Sequence, residues 1–222
     1  MLTFADTIDP DLTPIIAGWS EAIRQHLADR LTDLVPSYTT IMLYYEPRDY
    51  DYRSIISALR TIPKTLSRTG SRPESRRIEL PVWYHPSVGP DLEDLANTCG
   101  ITVDQVIERH TATEYQVYAL GFSPGFGFMG QVDPSIACGR LDSPRVRVPG
   151  GSVGIANRQT AVYPSPSPGG WRLIGRCPTR LFSEEDLATL AVGDRVRFQS
   201  VDRDAFLRLG GDDTPFEKTL AS

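Results

Sequence analysis

The fold of the second half of the chain is decided by residues 144–176, which read PRVRVPGGSVGIANRQTAVYPSPSPGGWRLIGR. Short β-type runs such as SVGIA, TAVY and WRLIG alternate there with turn residues. From Pro149 to Phe182, eleven of 34 residues are glycine or proline. Closely spaced strands with such turns are typical of a β-barrel or a β-sandwich rather than of a doubly wound sheet. We therefore predict a barrel or sandwich around this stretch.

The segments around this stretch predict further strands and a short helix. The predicted strands are RIELPVWY at 77–84, YQVYALGF at 115–122 and RVRFQSV at 195–201. The segment LEDLANTCG predicts a helix that Gly100 caps, because glycine readily adopts the left-handed conformation at a helix end.

Two segments have the spacing of a helical capping box. Thr102 and Gln105 open TVDQVIERH, which is predicted to be a helix ending near His110. Ser183 and Asp186 have the same spacing in SEEDLATL, which is predicted to be a last short helix.

The first 62 residues predict a mixture of helix and strand. A helix is predicted from Thr13 to Leu34, ended by Pro36, because its apolar residues recur at steps of three and four. These are Ile16, Trp19, Ile23, Leu27, Leu31 and Leu34. The run TTIMLYYEP at 39–47 predicts a strand, and residues 52–62 predict a second helix that stops before Pro63.

The change of pattern predicts three regions along the chain. Residues 1–77 form an α/β domain with its linker, residues 78–207 a β-rich domain, and residues 208–222 a polar C-terminal tail. The linker holds a basic run among Ser, Thr, Gly and Pro, which is typical of a solvated connection. That run consists of Lys64, Arg68, Arg72, Arg76 and Arg77.

Composition excludes several classes of protein. The net charge of −5 gives no electrostatic footprint for nucleic acid. No apolar run approaches the roughly 20 residues that cross a bilayer, and the N-terminus does not resemble a signal peptide. Cys99, Cys138 and Cys177 are widely spaced and form no CxxC pair, and the histidines have no ligand spacing. We expect a cytoplasmic protein without membrane, nucleic-acid or metal binding.

The stretch GFSPGFGFMG at 121–130 matches the dinucleotide fingerprint GxGxxG at Gly125, Gly127 and Gly130. A true fingerprint opens a helix, whereas Pro134 and no helical periodicity follow here, so cofactor binding is not predicted. The chain also has no GxxxxGK[ST] loop for ATP. The glycines and aromatic residues are equally compatible with two structures. One is a tight loop whose aromatic side chains fill the core, and the other is the rim of a pocket or of a subunit interface.

Arginines recur near this glycine-rich region, and several could share one face of a sheet. They are Arg145, Arg147, Arg158, Arg172 and Arg176. Guanidinium groups suit a small acidic substrate, although each arginine alone is more typical of a surface residue.

His110 closes a predicted helix, where the helix dipole favours histidine, and it is also a candidate proton shuttle with a pKa near neutrality. Cys177 in GRCPT could be a nucleophile, but an unpaired cysteine is usually inert packing.

The ordered motifs together resemble the PxpB/KipI family, the B subunits of 5-oxoprolinase, also called allophanate hydrolase subunit 1. They are LVPSYTTIMLYYEP, GPDLEDLA, TVDQVIERHTATEYQVYALGFSPGFGFMG, the stretch at 144–176, and VGDRVRF. The resemblance implies an α+β fold with a small ferredoxin-like N-terminal domain followed by a cyclophilin-like β-barrel domain.

The resemblance also implies a function. Members act with a larger cyclophilin-like subunit (PxpC/KipA-like) and a third subunit (PxpA-like) to open 5-oxoproline to glutamate, using ATP. ATP would be a co-substrate of the complex and would not be bound by this chain alone. Two alternatives are an allophanate or ureido-acid amidohydrolase subunit, and a KipI-like inhibitor of a histidine kinase that acts as a protein-interaction module.

We expect this chain to form half of a site that the larger subunit completes. Arg145 and Arg176 would bind anionic oxygens, and His110 would transfer a proton. Five further residues would shape the substrate pocket: Gly125, Phe126, Gly169, Gly170 and Trp171. Phe126 is expected at the contact with the larger subunit, and neither arginine is expected to have an internal partner.

Overall fold

The computed structural model describes residues 1–7, 9, 11–62, 76–185 and 187–216. The chain divides into two compact units, unit 1 at Met1–Ser75 and unit 2 at Arg76–Ser222. The domain boundary predicted at residues 77 and 78 and the separate tail from residue 208 stay predictions. The predicted basic linker falls mostly on residues 63–75, which lie outside the described residues.

The described part of unit 1 combines a three-stranded antiparallel sheet with two α-helices. Its elements are β1 (Leu2–Thr3), α1 (Leu12–Leu27), a 3-10 turn (Ala28–Arg30), β2 (Asp33–Pro36), β3 (Thr40–Tyr44) and α2 (Tyr52–Thr61). The strand order is β1-β3-β2. Side chains from both helices and the sheet share one core, which includes Ile16, Ile41 and Ile55. The ferredoxin-like arrangement of this unit stays a prediction.

The first predicted helix is too long. Helix α1 ends at Leu27, and Leu34 lies in strand β2, opposite Leu43 of β3. The apolar spacing continued past the helix end because a buried strand residue happens to fall at the next helical step. The predicted strand at 39–47 and the predicted helix at 52–62 are confirmed as β3 and α2.

Unit 2 has a β-rich fold, and its described residues include three α-helices. Its helices are α3 (Leu92–Cys99), α4 (Val103–Ala112) and α5 (Arg203–Arg208), with a 3-10 turn at Pro134–Ile136. Its strands are β4 (Arg77–Val82), β5 (Glu114–Leu120), β6 (Gly127–Gly130), β7 (Arg145–Val148), β8 (Ser152–Ala156), β9 (Gln159–Val162), β10 (Ser167–Gly169), β11 (Arg172–Arg176), β12 (Phe182–Ser183), β13 (Leu187–Ala188) and β14 (Arg195–Ser200).

Seven strands of unit 2 form one barrel-like sheet in the order β11-β8-β9-β6-β5-β14-β4. Only β14 and β4 pair in parallel within this sheet. The two edge strands meet where Trp83 and Arg176 exchange backbone hydrogen bonds of 2.9 and 3.0 Å. This contact brings the sheet close to closure and fits the cyclophilin-like barrel that the family resemblance implies.

Strand alternation separates two cores on opposite faces of the barrel wall. Val153, Ile155 and Ile174 belong to the main core, to which helices α3 and α4 also contribute. Tyr163 and Leu173 belong to a second cluster on the other face. The two-stranded sheet of β7 and β10 contributes Val148 to this second cluster.

The helix caps confirm one capping box and contradict the other. Thr102 and Gln105 form the predicted box at α4, and Gly100 ends α3 with a φ of 68°. The predicted helix at 183–190 is wrong, because β12 and β13 pair there as antiparallel strands. Position 186, which would complete the second box, lies outside the described residues. A four-residue cap signal without a long apolar stripe therefore did not specify a helix.

Candidate functional site

An aromatic cluster covers the face of β8, β9 and β11 that points away from the barrel core. We define it as Phe122, Phe126, Phe128, Tyr163 and Trp171. The Phe126 ring is central, with centroids of the other four rings at 5.2, 4.8, 5.3 and 5.7 Å in that order. Phe126 is only 2% exposed. The expectation that Phe126 lies exposed at a subunit contact is therefore wrong, since its ring is the centre of a packed cluster.

Phe122 is the member of this cluster that faces solvent. It is 63% exposed, and its ring lies edge-on against Phe126. Its backbone φ is 72°, which is a rare conformation for a bulky side chain. Such strain is maintained only where the surroundings fix it, and it is frequent at binding sites. The glycine-aromatic stretch therefore fills a core with Phe126 and also presents Phe122 at a rim.

The glycines expected to shape a pocket are packed to different degrees. A Cβ at Gly125, whose φ is 82°, would lie 2.7 Å from the carbonyl oxygen of Leu181. A Cβ at Gly169 would lie 2.3 Å from the Tyr163 hydroxyl, whereas at Gly170 the nearest atom is 3.5 Å away. Gly125 and Gly169 therefore permit close packing within the protein, and only Gly170 has ordinary space around it.

Arg145 is held by groups of the protein itself. Its Nη2 donates to Asp91 Oδ1 at 2.6 Å, and its Nη1 donates to the Trp171 carbonyl at 3.4 Å. The Asp91 Oδ2 also accepts from the backbone N–H of Leu173 at 2.7 Å. The guanidinium carbon lies 5.2 Å from the Phe216 ring centre, a cation–π distance. The expectation that Arg145 lacks an internal partner is wrong.

Arg176 lies at the seam of the barrel and is 2% exposed. Its Nη1 donates to the backbone carbonyls of Asp212 and Thr214 at 2.7 and 2.9 Å. The Asp212 carboxylate is 4.0 Å away, and Nε is buried with no hydrogen-bond partner among the described residues. Burial lowers the pKa of Arg176, and the charges of Asp212 and Asp213 oppose this. Arg176 thus has internal partners, but they satisfy its charge incompletely.

His110 is fully buried between two hydroxyl groups. Its Nδ1 lies 2.7 Å from the Tyr84 hydroxyl, and its Nε2 lies 2.9 Å from Thr160 Oγ1. Since the Thr160 hydroxyl donates to the Gly154 carbonyl at 3.1 Å, it accepts from the Nε2–H of a neutral imidazole. Burial lowers the pKa of His110 to about 3. The expectation of a pKa near neutrality is therefore wrong.

The remaining arginines do not share one open face. Arg172 pairs with Asp94, and Arg158 Nε donates to the Val132 carbonyl at 3.3 Å. Arg147 is exposed on β7. With Arg145 and Arg176 held as described above, the predicted arginine cluster is a set of separate contacts.

Cys177 agrees with the packing interpretation. It is buried, and its burial raises the pKa of the thiol, which disfavours the reactive thiolate. Among the described residues, no group of three His, Cys, Asp or Glu side chains could hold a metal ion. No helix in this part of the chain is long and apolar enough to cross a membrane.

Three residues that the sequence did not single out organise this region: Tyr84, Asp91 and Thr160. Asp91 precedes helix α3, so its position before the apolar run of that helix was a usable signal for a fixed carboxylate. Tyr84 and Thr160 lie in β-type runs, where nothing in the spacing distinguishes a buried hydroxyl from an ordinary strand residue.

A cavity of about 490 Å³ lies elsewhere on unit 2, between α4 and β14. Its lining includes Glu79, Glu108, Thr111 and Arg197, and none of the expected site residues.

Comparisons with known proteins found one matching family model and several similar proteins. Residues 1–191 match the family model of the carboxyltransferase domain, subdomain C and D. The chain is 35% identical over 210 residues to the B subunit of 5-oxoprolinase from Bacillus subtilis, an alignment that covers 89% of this chain and 87% of that protein. The protein of the same name from Escherichia coli O157:H7 is 47% identical over 128 residues, 57% of this chain and 59% of that one.

Solved structures give the same picture of the fold. The crystal structure of TTHA0988 matches 90% of this chain at 33% identity and a TM-score of 0.78, but only 39% of its own length is covered. Protein PH0987 from Pyrococcus horikoshii matches at 39% identity over 92% of this chain and 94% of its own, with a TM-score of 0.58. The Kluyveromyces lactis urea carboxylase matches at 15% identity and a TM-score of 0.74, which indicates the fold alone.

Proposed function

The chain belongs to the family of the carboxyltransferase domain, subdomain C and D, and is a relative of proteins named as the B subunit of 5-oxoprolinase; on that premise we propose that it is one subunit of a 5-oxoprolinase. In this proposal it acts with a larger cyclophilin-like subunit and a third subunit. Together they open the lactam ring of 5-oxoproline with water to give glutamate, and ATP is the co-substrate. The observation that carries the proposal is the 35% identity that extends over 89% of the chain.

The chemistry of unit 2 supports a site that a partner completes. Opening a lactam requires that the amide carbonyl is activated and that proton transfer groups lie beside it. In the described part of unit 2, His110 is neutral and sealed from solvent, and the Cys177 thiol is disfavoured as a thiolate. These two groups are therefore poorly suited to take part directly in opening the lactam, and we assign the reacting groups to the partner subunits.

The expected site residues take positioning roles in this proposal. His110 links Tyr84 on one side of the barrel to Thr160 on another, so it fixes the wall behind the aromatic cluster. Arg145 holds the backbone at Trp171, whose ring forms part of the cluster. Gly170 leaves space beside that ring. Arg176 keeps unused hydrogen-bonding capacity for an anionic group.

Phe122 is the residue that we assign to the contact with the larger subunit. Its exposed ring is fixed by a strained backbone and by contact with Phe126. Aromatic residues that are exposed and rigid are typical anchors of protein interfaces, because they bury much apolar area at a small entropic cost.

The test is reconstitution from separately purified subunits. Light scattering measures whether this chain binds the larger subunit, and an assay for glutamate measures ring opening. Binding with ATP-dependent glutamate formation is the expected result. Inhibition of a sensor histidine kinase without glutamate formation would favour the interaction module, and hydrolysis of allophanate would favour the ureido-acid alternative.

A further inference from the structure

Residues 211–216 form a strap that crosses unit 2 after helix α5. The backbone N–H of Gly211 donates to the Phe206 carbonyl at 3.0 Å, and a Cβ at this glycine would lie 2.4 Å from the Phe206 ring. At the other end, the N–H of Phe216 donates to the Ser87 carbonyl at 2.6 Å. An ion pair between Asp213 and Arg203 also holds the strap. We call residues 211–216 the C-terminal strap.

The C-terminal strap covers the two arginines that were expected to bind anions. Its carbonyls at Asp212 and Thr214 accept both hydrogen bonds from Arg176 Nη1. The ring of Phe216 packs against the second core cluster, which includes Val148 and Leu173, and lies 5.2 Å from the guanidinium carbon of Arg145. The strap therefore occupies the place at which an anion would approach Arg176.

The contacts of Arg176 with the strap leave its charge poorly compensated. Both acceptors are neutral carbonyls, and the buried Nε atom has no hydrogen-bond partner in the part of the chain that the structure describes. The carboxylate of Asp212 is 4.0 Å away and its side chain is 74% exposed, so it contributes little. Hydrogen bonds to an ionised acceptor are roughly twice as strong as neutral ones, and a carboxylate can bind a guanidinium through two of them.

A second unpaired polar group lies beside Arg176. Ser152 is its direct cross-strand partner in the antiparallel pair of β8 and β11. Side chains of directly opposed residues lie on the same face of a sheet. The hydroxyl of Ser152 is fully buried, and no described residue forms a hydrogen bond with it. One cation and one hydroxyl, both incompletely satisfied, are thus adjacent at the seam of the barrel.

We propose that Arg176 and Ser152 form a carboxylate-binding subsite, which the C-terminal strap occupies in the free chain and vacates when a carboxylate ligand binds. This inference rests on the proposed function, because 5-oxoproline carries a carboxylate. The ligand replaces the two neutral carbonyls at Arg176 Nη1 with a charged group. The strap then competes with the ligand.

Amide hydrogen exchange of the full chain tests this inference directly. We expect the exchange rate of the Phe216 amide, which is bonded to Ser87, to rise about tenfold when 5-oxoproline or glutarate is added. The uncharged lactam 2-pyrrolidinone lacks the carboxylate and is expected to leave the rate unchanged.

A variant with a loosened strap gives an independent measurement. Phe216→Ala removes the ring contacts of the strap and is expected to bind glutarate about tenfold more tightly in calorimetry, equivalent to about 1.4 kcal/mol. Leu209→Ala, at an exposed position outside the strap, is the matched control and is expected to bind as the wild type does.

Unchanged exchange at Phe216 with both carboxylates would overturn the inference, as would wild-type affinity of the Phe216→Ala variant. If glutarate releases the strap but the reconstituted enzyme does not open 5-oxoproline, the proposed function fails and the strap inference stands. If the reconstituted enzyme opens 5-oxoproline while the strap stays closed, the strap inference fails and the proposed function stands.

Discussion

The carboxylate of Asp91 joins the side chain of Arg145 to the edge strand of the barrel. One oxygen lies 2.6 Å from Arg145 Nη2, and the other accepts the backbone N–H of Leu173 in β11 at 2.7 Å. Both side chains are largely buried. A largely buried ion pair need not raise the net stability of the folded chain. Loss of one member, however, leaves the other charge buried and unpaired.

Arg145→Ala is therefore expected to lower the free energy of unfolding by about 2–4 kcal/mol, mainly because Asp91 loses its partner. Arg147→Ala, on the same strand but exposed, is expected to change it by less than about 0.5 kcal/mol. Urea denaturation of both variants measures the difference. Equal stability of the two variants would contradict an internal role for Arg145.

His110 predicts a specific dependence of stability on pH. Because burial lowers its pKa from 6.5 to about 3 in the folded chain, the unfolded chain binds more protons between these values. Stability from this group is therefore present above pH 6.5 and is lost as the pH falls towards 3. Between pH 8 and pH 5 the loss is about 2 kcal/mol.

The variant His110→Gln isolates this contribution. It is expected to be less stable than the wild type at pH 8, and the gap in unfolding free energy is expected to shrink as the pH falls to 5. A gap that stays constant over this range would show that His110 titrates alike in both states.

Substitutions of two phenylalanines in the aromatic cluster are expected to have opposite effects on stability and on subunit binding. Phe122→Asp is expected to change the unfolding free energy by less than about 1 kcal/mol, since the side chain is exposed, but to weaken binding of the larger subunit. Phe126→Ala is expected to cost about 3–5 kcal/mol of stability, since it empties the centre of the cluster. Val146→Asp, at another exposed apolar position, is the control for binding. Loss of binding with Val146→Asp but not with Phe122→Asp would place the interface at Val146 rather than at Phe122.

Gly169 predicts a steric effect that a second substitution relieves in part. Gly169→Ala is expected to destabilise unit 2 by about 1–3 kcal/mol, because its Cβ would lie 2.3 Å from the Tyr163 hydroxyl. Tyr163→Phe in the same chain removes that oxygen and is expected to restore part of the loss. Gly139→Ala is the control, since no atom of the described residues lies within 4 Å of its added Cβ. Equal melting temperatures of the two alanine variants would contradict the packing role.

A capping-box spacing predicted one helix of unit 2 correctly and failed at a second segment. At α4, the box of Thr102 and Gln105 opens the predicted helix, which buries Val106 and His110. At 183–190 a capping-box spacing stood alone, and the chain forms a short β-hairpin instead. The apolar step from Leu27 to Leu34 crossed from α1 into β2 because both elements bury a leucine at that spacing.

The site was less predictable because its contacts join residues distant along the chain. Arg145 and Asp91 are 54 positions apart, and Arg176 meets the carbonyl of Asp212 36 positions away. Neither pairing leaves a spacing signal in one sequence. Likewise, the pattern of alternating glycine and phenylalanine does not show which ring is buried, and only the packing separates Phe126 from Phe122.

The most direct test of the central claim is glutamate formation from 5-oxoproline and ATP with each subunit omitted in turn. We expect equal amounts of glutamate and ADP only when this chain, the larger subunit and the third subunit are all present, because this chain supplies a wall of the site but not the reacting groups. Glutamate formation by this chain alone, or an unchanged rate when it is left out, would contradict the account.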